Sequence, residues 1–511
     1  MGKINENCGI AAVDTDAKEN AANLLYRVLL QQQNRGQLSA GITTFNENRK
    51  IVLKTLRNTG LVNEVFKANN DRLFKRIFQK YSGTKGIGHL RYATFGGSDR
   101  AYAQPFERKH GRKWKWFSFG FNGNIANVSE LKKELEQKNF HFILDADTEL
   151  MMHFLAKGAA GDEKPKLVDV FSVLHPSLDG AYSIAFANAE GETAVARDPL
   201  GFKPVVVGEK DGIIAAASES SALESIGIEK FEDVKPGALV EIGNGSIEKK
   251  WFCKSKKKAY CMFEWVYFAN VASEIEKRSV YAARYELGKE LAKLETEEIG
   301  EEHIVVPVPD TAKPAGDGFA FALGVPSQEG LIRNRYVGRT FIEGSRRFEK
   351  VRQKYSINKK IMQGKKVLLV EDSIVRGTTT KGLIKYIKEA GKAKEVHVRV
   401  SCPPIRSPCF YGIDMSTFGE LIGSPSKETG AKNIEPEITE KEVEKIREYI
   451  GADSLIYQSM EGLIKGIGLE NGKTDLCMAC LNSKYPTPWG EKLKEKAFEN
   501  YEKNSGARTY E

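Results

Sequence analysis

Two groups of residues in this chain have the types and spacing that chemistry requires. Near the front, Cys8 precedes Gly9 and a short apolar run. A cysteine nucleophile needs a base, and no histidine lies near Cys8 in sequence. The residue's own α-amine can serve if residues 1–7 are removed. An isolated cysteine is more commonly an inert buried side chain, and Cys8 taken alone reads that way. Toward the back, the apolar run Val367–Val370 ends on Glu371 and Asp372, followed by Ser373, Val375, Arg376, Gly377 and Thr378–Thr380. A small, hydroxyl-rich loop at a helix N-terminus offers N–H groups and a favourable dipole to a phosphate. The paired carboxylates cannot hold that phosphate, but they suit ribose hydroxyls or a metal ion attached to it. A sugar phosphate is the ligand this stretch predicts.

The elements that must position these groups can be read in order. Residues 8–15 read as a buried strand, and Asn20–Gln33 as a helix with a Leu24, Leu25, Val28, Leu29 stripe. Phe117, Phe119 and Phe121 alternate on one face, followed by an Asn122-Gly123 turn signal. Short strands and turns continue to about residue 245. A boundary is expected within 241–258, where turn residues meet a lysine run. Beyond it, helical stretches alternate with the buried strands at 304–309 and 367–370, which predicts a parallel α/β sheet. Thr439 and Glu442 form a capping box for a helix carrying Val443, Ile446 and Ile450, with Gly451 as its stop.

Composition sets the outer bounds. The chain has 511 residues, of which 41% are apolar and 28% charged, with a formal charge of +9. That length predicts at least two domains. No basic tract interleaved with aromatics argues for nucleic acid. No apolar run reaches about 18 residues, so no membrane span is expected, and the first residues lack the apolar core of a signal peptide, so a cytoplasmic protein is expected. The odd set Cys8, Cys253, Cys261, Cys402, Cys409, Cys477 and Cys480 argues for catalysis or metal binding over a disulfide framework. Cys-x-x-Cys with two distant cysteines fits a four-thiolate zinc site as well as an iron–sulfur cluster.

Five phrases change the reading of Cys8. Cys8-Gly9-Ile10, Gln33-x-Arg35-Gly36-Gln37, Gly88-His89-x-Arg91-Tyr92, Asn122-Gly123-Asn124 and Asp147-Thr148-Glu149 occur in the order found in N-terminal-nucleophile glutamine amidotransferase domains. That resemblance implies an αββα sandwich over residues 8–245, preceded by a propeptide at 1–7. It also implies Cys8 as nucleophile, Asn122 and Gly123 as an oxyanion hole, and Arg91 and Asp147 as ligands of the glutamine α-carboxylate and α-amine. The 367–380 stretch resembles the phosphoribosyl pyrophosphate (PRPP) motif of type I phosphoribosyltransferases, implying that domain over 259–511 with a C-terminal helical extension. Asp372, Ser373, Val375, Arg376, Gly377, Thr378 and Thr379 would then bind PRPP, and Thr311, Glu371 and Asp372 would hold Mg²⁺. The basic stretch at 338–354 resembles the mobile loop that covers PRPP.

From end to end the chain resembles the glutamine PRPP amidotransferases, which open purine synthesis. The resemblance implies glutamine and PRPP as substrates, purine nucleotides as inhibitors and a homotetramer. It also implies a [4Fe–4S] cluster on Cys261, Cys409, Cys477 and Cys480. Four positions depart from the family pattern. Phe121 stands for a histidine, Glu371 for aspartate, Thr311 for serine, and Glu343-Gly344-Ser345-Arg346 fill a shortened covering loop. The altered loop leaves two alternatives: a PRPP-binding regulatory protein without transferase activity, or a glutaminase feeding another acceptor.

Overall fold

The computed structural model describes residues 8–16, 19–92, 99–144, 146–243, 245–255, 257–334, 347–415, 417–424 and 438–503. Its first unit stacks helices on both outer faces of two antiparallel sheets. The seven-stranded sheet runs in the order Phe231–Asp233, Val206–Lys210, Ile213–Ala217, Gly9–Asp14, Lys85–Arg91, Ser39–Phe45, Leu53–Thr59. The two-residue period of a strand assigns the side chains to layers. Ile10 and Ala12 enter the core between the sheets with Val195, Val207 and Val240. Ala11 and Val13 face outward, against Leu24, Leu25, Val28 and Leu29 of the helix Ala21–Gln31. Asn20 starts that helix by accepting the Ala22 N–H.

The second sheet has six strands, in the order Ser246–Trp251, Ala238–Gly243, Thr193–Arg197, Gly180–Asn188, Phe117–Ile125, Phe106–Arg108. Phe117, Phe119 and Phe121 share its outer face with Leu150 and Phe154 of the helix Asp147–Gly158. Each such buried ring contributes about 1.5–3 kcal/mol. Asn122-Gly123 makes no hairpin turn here, because the strand continues through it and pairs Asn122 with Ser183 and Gly123 with Tyr182. Strand Ser246–Trp251 pairs with Ala238–Gly243, so the first unit runs past residue 245.

The second unit is built on a parallel sheet, His303–Pro307, Lys366–Glu371, Glu395–Val400, Ser454–Tyr457. Val367 and Leu369 face one core while Leu368 and Val370 face another. Burial on both faces explains why this run is apolar without alternation. Helix Glu440–Ile450 opens with the expected Thr439–Glu442 capping box and stops at left-handed Gly451. The αββα sandwich and the parallel α/β sheet expected of the two halves are therefore both present.

The units share a core. Ala126, Ala181 and Phe202 of the first pack in one apolar cluster with Trp265, Phe410 and Tyr411 of the second. The C-terminal helix Pro488–Glu502 reaches back, its Trp489 N–H donating to Asp179 at 3.1 Å. No helix among the described residues is long and apolar enough to cross a membrane.

Candidate active site

Cys8 lies at the start of the strand Gly9–Asp14, half-buried, with its thiol 3.5 Å from the Tyr92 carbonyl. Burial raises its pKa, and the Arg91 and Lys203 charges draw it back down. Arg91 ends the adjacent strand and is itself buried, its guanidinium 5.3 Å over the Tyr102 ring. Asp147 opens the helix Asp147–Gly158 and is 7% exposed. Burial pushes its carboxyl up to about 6, against the lowering effect of the Ile125 N–H, Arg91 and Thr148. A buried carboxylate and guanidinium around one thiol can fix the two charged ends of an amino acid.

The Asn122-Gly123 pair meets them from the second sheet. Asn122 is 1% exposed, and its amide nitrogen is buried with no hydrogen-bond partner among the described residues. A buried orphan donor costs about 1–3 kcal/mol. An oxyanion forming beside it would use that donor. Gly123 is required by packing, since a Cβ there would lie 1.9 Å from the Ala181 carbonyl oxygen. Its neighbour Asn124 donates to the Phe410 carbonyl of the second unit at 2.9 Å.

In the second unit the strand Lys366–Glu371 delivers Glu371 and Asp372 to the C-terminal edge of the sheet, both nearly buried. One carboxylate oxygen of Asp372 accepts from the Ser373 hydroxyl at 2.8 Å and the other from the Thr311 hydroxyl. Gly377 caps the helix Thr378–Glu389 at φ +69°, in the left-handed region, where a Cβ would lie 2.3 Å from Ile422. A cavity here is lined by Tyr267, Glu371, Asp372, Ser373, Ile374, Val375, Arg376, Gly377, Thr379 and Thr380. Thr378 belongs to the first turn of the helix but not to that lining. Arg376 lines the cavity while its guanidinium pairs with Glu420. The covering stretch lies largely outside the described residues; its end forms the helix Arg347–Lys354.

A short helical segment, Glu264–Phe268, spans the two sites. Glu264 pairs with Arg35 at 2.8 Å, and Arg35 also pairs with Glu219 at 2.6 Å, all three fully buried. Arg35 packs on Gly9, next to Cys8. Three residues along, Tyr267 lines the cavity at Glu371–Thr380. Arg284 supports the segment by donating to the Trp265 and Ala269 carbonyls at 2.8 and 2.9 Å.

Comparisons with known proteins match this two-site arrangement. The glutamine amidotransferase domain family matches residues 74–242. The amidophosphoribosyltransferase of Methanothermobacter thermautotrophicus is 38% identical over 96% of this chain and 97% of its own. That of Archaeoglobus fulgidus is 40% identical over 94% and 98%. The solved structure of glutamine PRPP amidotransferase from Bacillus subtilis, complexed with ADP and GMP, superposes with a TM-score of 0.81 at 35% identity, covering 94% of this chain and 98% of that one. The chain belongs to the amidophosphoribosyltransferase family.

Amidophosphoribosyltransferases move the amide nitrogen of glutamine onto PRPP, giving 5-phosphoribosylamine, glutamate and pyrophosphate, and this is the first step of purine biosynthesis. Against that reaction, two residues near the sites carried no signal in the sequence. Tyr267 enters the cavity beside Glu371 and Asp372 from a segment remote in sequence, and Gln104 reaches the strand carrying Asn122 and Gly123 from an irregular loop. Only a contact across the fold reveals either one.

The four cysteines of the amidophosphoribosyltransferase pattern also gather. Cys261 and Cys477 are register partners on a two-stranded parallel ladder, and Cys409 and Cys480 pack in the same apolar cluster. Burial raises all four thiols. Backbone N–H groups two residues on, from Phe263, Tyr411 and Ala479, hydrogen-bond to Cys261, Cys409 and Cys477, and the buried Lys203 adds positive charge nearby. Among the described residues, no three His, Cys, Asp or Glu side chains converge where one metal ion would sit. Four gathered thiols with N–H donors have the chemistry of thiolate ligands, for a zinc ion or for an iron–sulfur cluster alike. Cys402 is fully buried in the same cluster, and Cys253 packs against the core of the first unit.

Proposed function

We propose that Cys8 is the nucleophile that releases ammonia from glutamine, and that the loop from Glu371 to Thr379 holds the PRPP that receives it. Arg91 takes the glutamine α-carboxylate and Asp147 the α-ammonium. Asn122 Nδ2 and the Gly123 N–H stabilise the tetrahedral oxyanion. The buried, unpartnered Asn122 amide is the observation that carries this assignment, because it is a donor held ready for a charge that exists only during reaction. Removal of residues 1–7 would free the Cys8 α-amine as base. The His89 ring supports this, since its Nε2 is committed to the Phe121 carbonyl at 2.9 Å and burial lowers its pKa to about 3.

On the PRPP side, Ser373, Arg376, Gly377, Thr378 and Thr379 wrap the 5′-phosphate, with Val375 shaping the loop. Glu371 and Asp372 face the ribose hydroxyls. Glu371, Asp372 and Thr311 would hold Mg²⁺, with PRPP oxygens completing its shell. When bound, the ion neutralises charge on the departing pyrophosphate. Cys261, Cys409, Cys477 and Cys480 would carry a [4Fe–4S] cluster, supported by the N–H donors described above. Purine nucleotides would inhibit, as the ADP and GMP in the Bacillus subtilis relative suggest. Seven unpaired cysteines suit the reducing cytoplasm. Exposed Tyr281 and Phe321, with Tyr285 between them, offer apolar area for a homotetramer.

Asn122→Ala tests the assignment. Its expected effect is a fall of about 10²–10³ in glutamine-dependent kcat, with the ammonia-dependent rate unchanged. Equal loss with both donors would refute the oxyanion role.

A further inference from the structure

Strand Phe106–Arg108 covers one edge of Phe117–Ile125 only as far as the pair Phe106–Phe119. Beyond it, Phe121 presents its N–H and carbonyl to side chains. Gln104 Oε1 accepts the Phe121 N–H at 2.8 Å, and the His89 ring meets the carbonyl. The other end of the Gln104 amide donates to the Thr148 hydroxyl at 3.3 Å, which in turn lies 3.5 Å from the Asp147 carboxylate. Gln104 is 3% exposed and its backbone is pinned. Arg57 donates to the Ala103 carbonyl at 2.6 Å, and Gly41 leaves no room for a Cβ against the Gln104 carbonyl.

We propose that Gln104 is a positioning residue for the glutamine reaction, its single amide holding the Asn122-Gly123 strand and the Asp147 helix at a fixed separation. This rests on the roles proposed above for Asn122, Gly123 and Asp147. The oxygen of the amide governs the oxyanion donors and hence kcat. The nitrogen acts through Thr148 on Asp147 and hence on glutamine binding. A misplacement of about 1 Å in such a site costs on the order of 10²-fold.

The test uses the full-length enzyme, with glutamine and ammonium compared as donors. Gln104→Leu is expected to lower glutamine kcat about 10- to 100-fold and to raise glutamine KM, leaving the ammonia-dependent rate within about twofold. Thr148→Val breaks only one arm, so KM rises about fivefold, kcat holds, and the effect on KM is not additive with Gln104→Leu. Gln104→Glu keeps the acceptor for Phe121 and restores most of kcat while KM stays high. If Gln104→Leu does not fold, Thr148→Val and Gln104→Glu carry the test. The proposal fails if kcat and KM of the Leu variant are normal, if both donors lose rate together, or if Gln104→Glu is as slow as Gln104→Leu. A Cys8→Ala enzyme that still used glutamine would instead overturn the underlying assignment.

Discussion

Asp147 holds a carboxyl that burial has pushed up to about 6, and the role proposed for it requires the ionised form. Protonation removes the acceptor for the substrate ammonium, so activity is lost as pH falls through that value and is kept above it. The expected profile of kcat/KM for glutamine falls about tenfold per pH unit below about 6, whereas the ammonia-dependent reaction lacks that acid limb at matched free ammonia. A glutamine profile flat down to pH about 5 would separate Asp147 from binding. Cys8, Arg91, Asn122 and Asp147 became candidates in the sequence only through the ordered phrases that resemble glutamine amidotransferase domains, because an isolated cysteine, arginine or Asn-Gly pair has an ordinary structural reading as well. Gln104 and Tyr267 were not legible. An amide in a loop and a tyrosine in an apolar run become functional only through what they face.

Among the elements, the loop from Glu371 to Thr379 depends on a backbone that only glycine adopts freely. Gly377 combines φ +69° with an Ile422 side chain 2.3 Å from where a Cβ would stand. Gly377→Ala should therefore shift the helix Thr378–Glu389 at its N-terminus, where the phosphate would sit, costing about 1–2 kcal/mol. The expected readout is a PRPP KM raised by about tenfold, equally with glutamine and ammonium, with glutaminase chemistry at Cys8 intact. An unchanged PRPP KM would remove this loop from the phosphate site. The strand before it was legible, since an unbroken Val367–Val370 run suits only a strand covered on both faces. Asn122-Gly123 misled because its local turn preference yields to pairing across nine residues of the neighbouring strand Gly180–Asn188. The covering stretch at Glu343–Arg346 lies outside the described residues.

In the whole molecule, the two halves share a buried ionic seam. Arg35 pairs with Glu219 of its own half and Glu264 of the other, and Arg197 pairs with Glu276 at 2.6 Å across the same boundary. Removing one partner leaves a charge stranded away from water. Glu264→Gln should destabilise the enzyme by about 3 kcal/mol, read as a lowered urea midpoint, and a midpoint unchanged within error would show the pair to be dispensable. For the same reason residues 8–251 alone should not form a stable domain. No sequence pattern signals a pair 229 positions apart, so the seam was hidden although both halves were readable. Iron and acid-labile sulfide in equal amounts are expected in anaerobically purified protein; stoichiometric zinc would overturn the cluster assignment.

The central claim is that ammonia made at Cys8 is used at the Glu371–Thr379 site of the same chain. Pyrophosphate release from PRPP, measured for wild-type and Cys8→Ala enzyme with glutamine or ammonium as donor, tests it most directly. The account predicts that wild type uses both donors and that Cys8→Ala loses glutamine while keeping ammonium. Glutamine-dependent release by Cys8→Ala, or no release by wild type with either donor, would contradict it.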